Sequence, residues 1–104
     1  MSATVDDVRR LACALPGVTE RLSWQQPAWF ARTLLARMWD DETLTVKAEP
    51  DEREAMLGGD PGTFFTTSHH DGSNLVLVRL AVVGLDELAE LVEESWRIAG
   101  GRRT

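Results

Sequence analysis

Three β-prone runs, Trp29–Ala31, Leu34–Trp39 and Thr43–Lys47, are separated only by Arg32-Thr33 and by Asp40-Asp41-Glu42. A parallel neighbour needs a crossover of about a dozen residues, so breaks this short admit only antiparallel hairpins. Alternation then puts Leu34, Ala36 and Met38 on one face and Leu35, Arg37 and Trp39 on the other. In the next run Leu44 and Val46 oppose Thr43, Thr45 and Lys47. One face is apolar, and the other mixes cations, threonines and an indole.

The flanking segments supply the second layer. Thr4 is placed to cap a helix with Asp6 and Asp7 in its first turn, where the dipole favours acids. Val5, Val8, Leu11, Ala12 and Leu15 form its apolar stripe, and Pro16-Gly17 ends it. Pro50 to Leu57 reads as a short helix closed by Gly58-Gly59, and Phe64–Thr67 and Leu75–Leu80 read as strands. From Asp86 to Ala99 a helix is predicted with Leu88, Leu91, Val92, Ser95 and Trp96 on its inner face. The expected order is helix, three strands, short helix, two strands, helix. That is a single α+β domain over residues 1–104, with an antiparallel sheet of about five strands and helices packed on one face.

A chain of 104 residues can build one core without a disulfide or metal. No apolar run approaches the ~20 residues of a membrane span, and the N-terminus lacks the apolar centre of a signal peptide. A soluble, cytoplasmic, monomeric protein is expected. Its single cysteine, Cys13, excludes an internal disulfide. The net charge of −6 is unevenly placed: residues 49–63 and 85–99 each carry five acids against one arginine. Both are helical segments, while the strand-like segments balance.

The only histidines, His69 and His70, precede Asp71-Gly72 between two β-like runs, where glycine suits a hairpin turn. On an extended strand adjacent histidines point to opposite faces and cannot readily chelate one ion. His69 and Asp71 could share a face, but a zinc site needs three or four ligands and nothing else in the sequence completes one. Ser68 beside His69 is not the geometry of a nucleophile and its base, and there is no G-x-S-x-G elbow or phosphate loop. No catalytic set, metal or cofactor is expected, and the protein reads as a non-enzyme.

The mixed sheet face is the better candidate. Arg37, Trp39 and Lys47, with Arg32 at a turn, His69 near the later turn and Arg79 on the last strand, interleave cations with aromatic rings. Such a surface suits phosphates and stacking bases, or an anionic aromatic ligand. Two kinds of partner are therefore expected. One is nucleic acid, contacted through this face. The alternative is a small anionic or aromatic molecule in a pocket lined by Trp24, Trp29 and Trp39.

Leu15-Pro16-Gly17-Val18-Thr19-Glu20 after the first helix, Lys47 before an acidic helix, and Phe64-Phe65-Thr66-Thr67 leading to His69 resemble the MmcQ/YjbR family. Val76–Leu80 and Leu85 to Arg97 continue the resemblance over roughly residues 4–97. It implies a small double-wing, frataxin-like domain and the function predicted from that shape, DNA binding, with the hairpins as wings. This chain differs from the pattern at His70, where an aromatic residue is common, at Arg32-Thr33, where glycine is common, and at Leu75, where some members have tryptophan.

Overall fold

A computed structural model of the chain describes residues 3–70 and 72–103. Helix α1 (Val5–Cys13) begins on a capping box: Asp7 N–H donates to Thr4 Oγ1 at 3.3 Å, and Thr4 N–H donates to Asp7 Oδ2 at 2.9 Å. Four strands follow, β1 (Thr19–Ser23), β2 (Gln26–Phe30), β3 (Leu34–Asp40) and β4 (Thr43–Lys47). After helix α2 (Pro50–Gly59) come β5 (Phe64–Phe65), β6 (Leu75–Arg79) and helix α3 (Leu85–Ile98). The sheet is antiparallel throughout, in the order β1-β2-β3-β4-β6-β5.

The expected α+β arrangement is present, with six strands where about five were expected. The added strand is β1, an edge strand exposed over most of its length. A strand that buries neither face carries no alternating apolar signal. The last hairpin also differs. β5 is two residues long, and residues 68–70 form a turn. Gly72 takes the expected positive φ, +81°; Asp71 lies outside the described residues.

Helix α1 lies over β2, α3 over β3 and β4, and α2 against β5 and β6. The core fills the space between. Trp29, Met38, Leu44, Val46, Val76 and Val78 come from the sheet, and Val8, Ala12, Leu88, Val92 and Trp96 from the helices. Each large side chain buried this way stabilises by roughly 1.5–3 kcal/mol.

Polar atoms inside this layer are closed off by partners. Trp29 Nε1 donates to Glu20 Oε1 at 2.8 Å, and Arg9 Nε donates to the same oxygen at 2.9 Å. Trp96 Nε1 donates to the Pro16 carbonyl at 3.0 Å. The buried Ser95 hydroxyl accepts Lys47 N–H at 2.8 Å and donates to the Leu35 carbonyl. It joins β3 and β4 beyond Ala36–Val46, the last paired position at that end of the ladder. Among the described residues no helix is long and apolar enough to cross a membrane.

Candidate nucleic-acid interface

Among the described residues no helix lies on the opposite face of the sheet. One row of residues crosses all six strands there: Arg21, Ala28, Arg37, Thr45, Leu77 and Phe65. Its central members Ala28, Thr45 and Leu77 are nevertheless buried. Beside them the turn at residues 68–70 packs back onto the sheet through Trp39. The Arg37 guanidinium sits 5.5 Å from the Trp39 ring centroid. Trp39 meets His70 edge-on at 4.7 Å and the His69 ring at 5.6 Å.

The two histidine rings are themselves only 4.9 Å apart, nearly perpendicular. The expectation that they face opposite ways fails because the backbone turns here instead of extending. Arg53 of α2 holds the turn in place. Its Nε donates to the Leu75 carbonyl at 2.7 Å, and its Nη2 donates to Thr66 Oγ1 at 3.0 Å and to the His70 carbonyl at 3.2 Å. His70 is buried, with Nδ1 and Thr67 Oγ1 sharing a hydrogen bond at 2.9 Å. Burial, then the charges of His69, Arg37 and Arg53, lower its pKa from the ordinary histidine value, so the ring is neutral at pH 7. His69 is the exposed member of the pair.

Two further stacks flank this centre. The Arg21 guanidinium lies 4.0 Å from the Phe30 centroid, and that of Arg79 lies 4.1 Å from Phe65, with Nη1 donating to the Pro61 carbonyl at 3.1 Å. Stacking orients a guanidinium while leaving in-plane N–H donors at its edge. Among the described residues Arg21, Arg37 and Arg79 have no carboxylate at ion-pair distance, whereas Arg9, Arg10, Arg97 and Arg103 all do. The row itself contains no acid. Asp40, Asp41 and Glu42 lie in and beside the β3–β4 turn at one end of the sheet.

The six residues expected at a binding surface therefore divide. Arg37, Trp39 and His69 come together, and Arg79 lies on the same face toward β5. Arg32 and Lys47 do not join them. Arg32 and Thr33 N–H groups both donate to the Ala99 carbonyl, at 3.1 and 3.0 Å. Lys47 Nζ donates to Thr33 Oγ1 at 3.0 Å, and burial lowers its pKa. Both cations gather at the C-terminal end of α3, where unpaired carbonyls attract positive charge. Gly100 makes room there: its φ is +92°, and a Cβ would come within 2.8 Å of the Arg32 stem.

The tryptophan-lined pocket does not form. Trp29 is in the core, Trp39 on the helix-free face, and Trp24 at the tip of the β1–β2 hairpin, 86% exposed. A cavity of about 410 Å³ lies elsewhere, between α2 and α3, with Met56, Phe64 and Leu91 beside Glu52, Glu87, Glu90 and Glu94. Lys47 also lines it, but four carboxylates against that one cation oppose an anionic guest. Among the described residues no three His, Cys, Asp or Glu side chains converge on a metal position.

The residues that build both layers, from the end of α1 through α3, are the ones a family description recognises: YjbR matches residues 13–98. The chain belongs to the YjbR family. Its YjbR relatives include uncharacterised proteins of Mycobacterium tuberculosis and Mycobacterium bovis. Each is 33% identical over 119 aligned positions, covering 90% of this chain and 86% of the relative. The crystal structure of Deinococcus radiodurans protein DR2400, a DUF419 domain, superposes with a TM-score of 0.81 at 22% identity. The likeness covers 93% of this chain and 78% of that one, and at that identity it is a likeness of fold.

Sequence reasoning missed two residues of this face, Arg21 and Arg53, and misplaced two others, Trp24 and His70. Arg21 and Trp24 belong to a hairpin without an apolar pattern. His70 and Arg53 become neighbours only when α2 docks against the later turn. Arg37 with Trp39 was legible, because period-2 spacing on one strand places them together.

Proposed function

We propose that this YjbR domain is a non-enzymatic DNA-binding module that lays its helix-free face, with the β1–β2 hairpin as a wing, on the phosphates of a duplex. One observation carries the reading: Arg21, Arg37 and Arg79 are each stacked on an aromatic ring of one face, clear of the acidic helices on the other side. Phosphate neutralisation provides most of the affinity in DNA binding. A domain of net charge −6 can supply it only where its cations are segregated from its acids. At a screening length of ~10 Å in 0.1 M salt, the acids across the sheet are largely masked from this face.

Fluorescence anisotropy with a labelled duplex tests the reading. Affinity is expected at low salt and should fall with log[salt] at a slope of about −0.9 per phosphate contact, so replacing Arg37 by Ala should make the slope shallower by about 0.9. Reversing Arg21 and Arg37 together to Glu should abolish binding, while Arg103→Glu, on the helix side, should leave most of it. Absence of binding at low ionic strength sinks the DNA reading.

A further inference from the structure

The β1–β2 hairpin turns on Trp24 and Gln25, both at positive φ, +55° and +67°. Ser23 pairs with Gln26 to close a two-residue loop. Positive φ at both central residues is the signature of the type I′ turn, which normally takes Asn-Gly because side chains with a full Cβ are strained there. Here a tryptophan and a glutamine occupy the strained positions, and the tryptophan points out, 86% exposed. Strain of this kind persists where the surroundings impose it and is concentrated at functional positions.

We infer that Trp24 is a base-stacking residue and that the preferred ligand is DNA carrying unpaired bases next to a duplex. The inference rests on the DNA reading above and narrows its substrate. The β2–β3 register pairs Ala28 with Arg37, and from there β2 runs back to the β1–β2 turn while β3 runs on to Trp39, so the turn and Trp39 lie at the same end of the sheet. Trp24 therefore projects past the same end of the sheet at which Trp39 stands, beyond the Arg21–Arg37 row. Phosphates held on that row deliver the end of a strand to the indole. The acidic Asp40–Glu42 turn at that end confines the path to the β1–β3 side.

The surroundings of Trp24 favour a base over a protein partner. Ser23, Gln25 and Gln26 flank it, and Leu22 belongs to the row of the opposite face, paired with Pro27. A protein interface of standard size buries about 800 Å² per partner around an apolar centre. A ring at a hairpin tip, with the 73% exposed Leu22 turned to the other face and arginines behind it, suits a single unstacked base, which every nucleotide can supply.

The experiment compares a blunt duplex with the same duplex bearing a single-stranded overhang. The wild-type protein should bind the overhang form more tightly, with quenching of tryptophan emission. Trp24→Ala should weaken overhang binding by roughly 5- to 150-fold, the range of one lost base–aromatic stack, and weaken blunt-duplex binding by much less, so that the overhang preference disappears. Trp24→Phe should keep most of the preference. Because the side chain is exposed, the variants should melt like wild type. Equal overhang affinity in wild type and Trp24→Ala, with duplex binding intact, overturns the inference and leaves the DNA reading standing. A Trp24→Ala variant that changes sedimentation mass with unchanged DNA affinity overturns it in favour of a protein contact. No binding of either duplex by the wild type removes both.

Discussion

Trp29 and Trp39 occupy neighbouring strands of one sheet and face opposite ways. Trp29 is completely buried, its ring N–H closed by Glu20, whose carboxylate is in turn held by Arg9. Trp39 is half-buried, and its neighbours are Arg37 and two histidine rings. On the first face polar groups serve the core: each charge or hydroxyl there satisfies another buried atom. On the second, arginines are oriented by rings, and most of their donors remain at the surface. The difference shows how an acidic domain can keep a cationic surface, with carboxylates pairing Arg9, Arg10, Arg97 and Arg103 on the helical side and rings alone orienting Arg21 and Arg37 on the strands.

The sharpest way to break this comparison is to truncate both indoles. Trp29→Ala should cost about 3–5 kcal/mol, the usual loss for a buried tryptophan, and leave Glu20 without its indole donor. Trp39→Ala should cost about 1–2 kcal/mol, because part of that ring already faces water. Urea unfolding of the two variants measures both. Equal losses would mean that the second face is as much a core as the first, and the functional division between them would go.

A smaller effect comes from the hairpin edge. Gln25→Gly should stabilise the domain by about 0.5–1 kcal/mol, since a strained residue at positive φ costs about 1–3 kcal/mol and glycine returns part of that gain as lost chain entropy. In a domain of this size 1 kcal/mol moves Tm by about 4–8 °C, so calorimetry resolves the change. A lower Tm for Gln25→Gly would show that the Gln25 side chain makes contacts worth more than the strain.

The same division explains what could be read from the chain before its structure. The apolar face was legible except at Leu35, which alternation placed beside Arg37 and Trp39 and which the register shift across from Trp29–Phe30 turns into the core; Leu44, Val46 and the α3 stripe repeat at the periods that burial imposes. Thr4 and Asp7 announced their helix through chemistry local to four residues. The second face was legible only along a single strand, as Arg37 with Trp39. Arg32 and Lys47 were expected beside them and are drawn instead to the end of α3 by Ala99 and Ser95, residues far along the chain. The Trp24-Gln25 turn lacks the glycine or asparagine that would mark it, and β1 lacks a buried side.

The smallest and most specific effect is expected from pH, through His70. Burial, then His69, Arg37 and Arg53, hold its pKa below the unfolded value of about 6.5. Between the folded and unfolded pKa values the unfolded chain therefore binds more protons than the folded one. Stability is complete above about pH 6.5 and declines as pH falls below it toward the folded value. Glu20 titrates lower: burial raises its pKa, but hydrogen bonds from Arg9 and Trp29 outweigh that, and its contribution is lost only as pH falls below the ordinary glutamate range of about 4.3. His70→Gln, which keeps a hydrogen-bonding group near Thr67, should flatten the curve of unfolding free energy between pH 7 and about 5 and leave the acid limb intact. Protonation places a third positive charge beside Arg37 and Arg53, so the wild-type loss should be accompanied by release of the turn at 68–70, seen as faster amide exchange at His70 and Ser73, whose N–H groups donate to the Thr67 and His70 carbonyls. A His70→Gln variant that keeps the wild-type slope would assign the titration to another group and leave the strand face without a pH response.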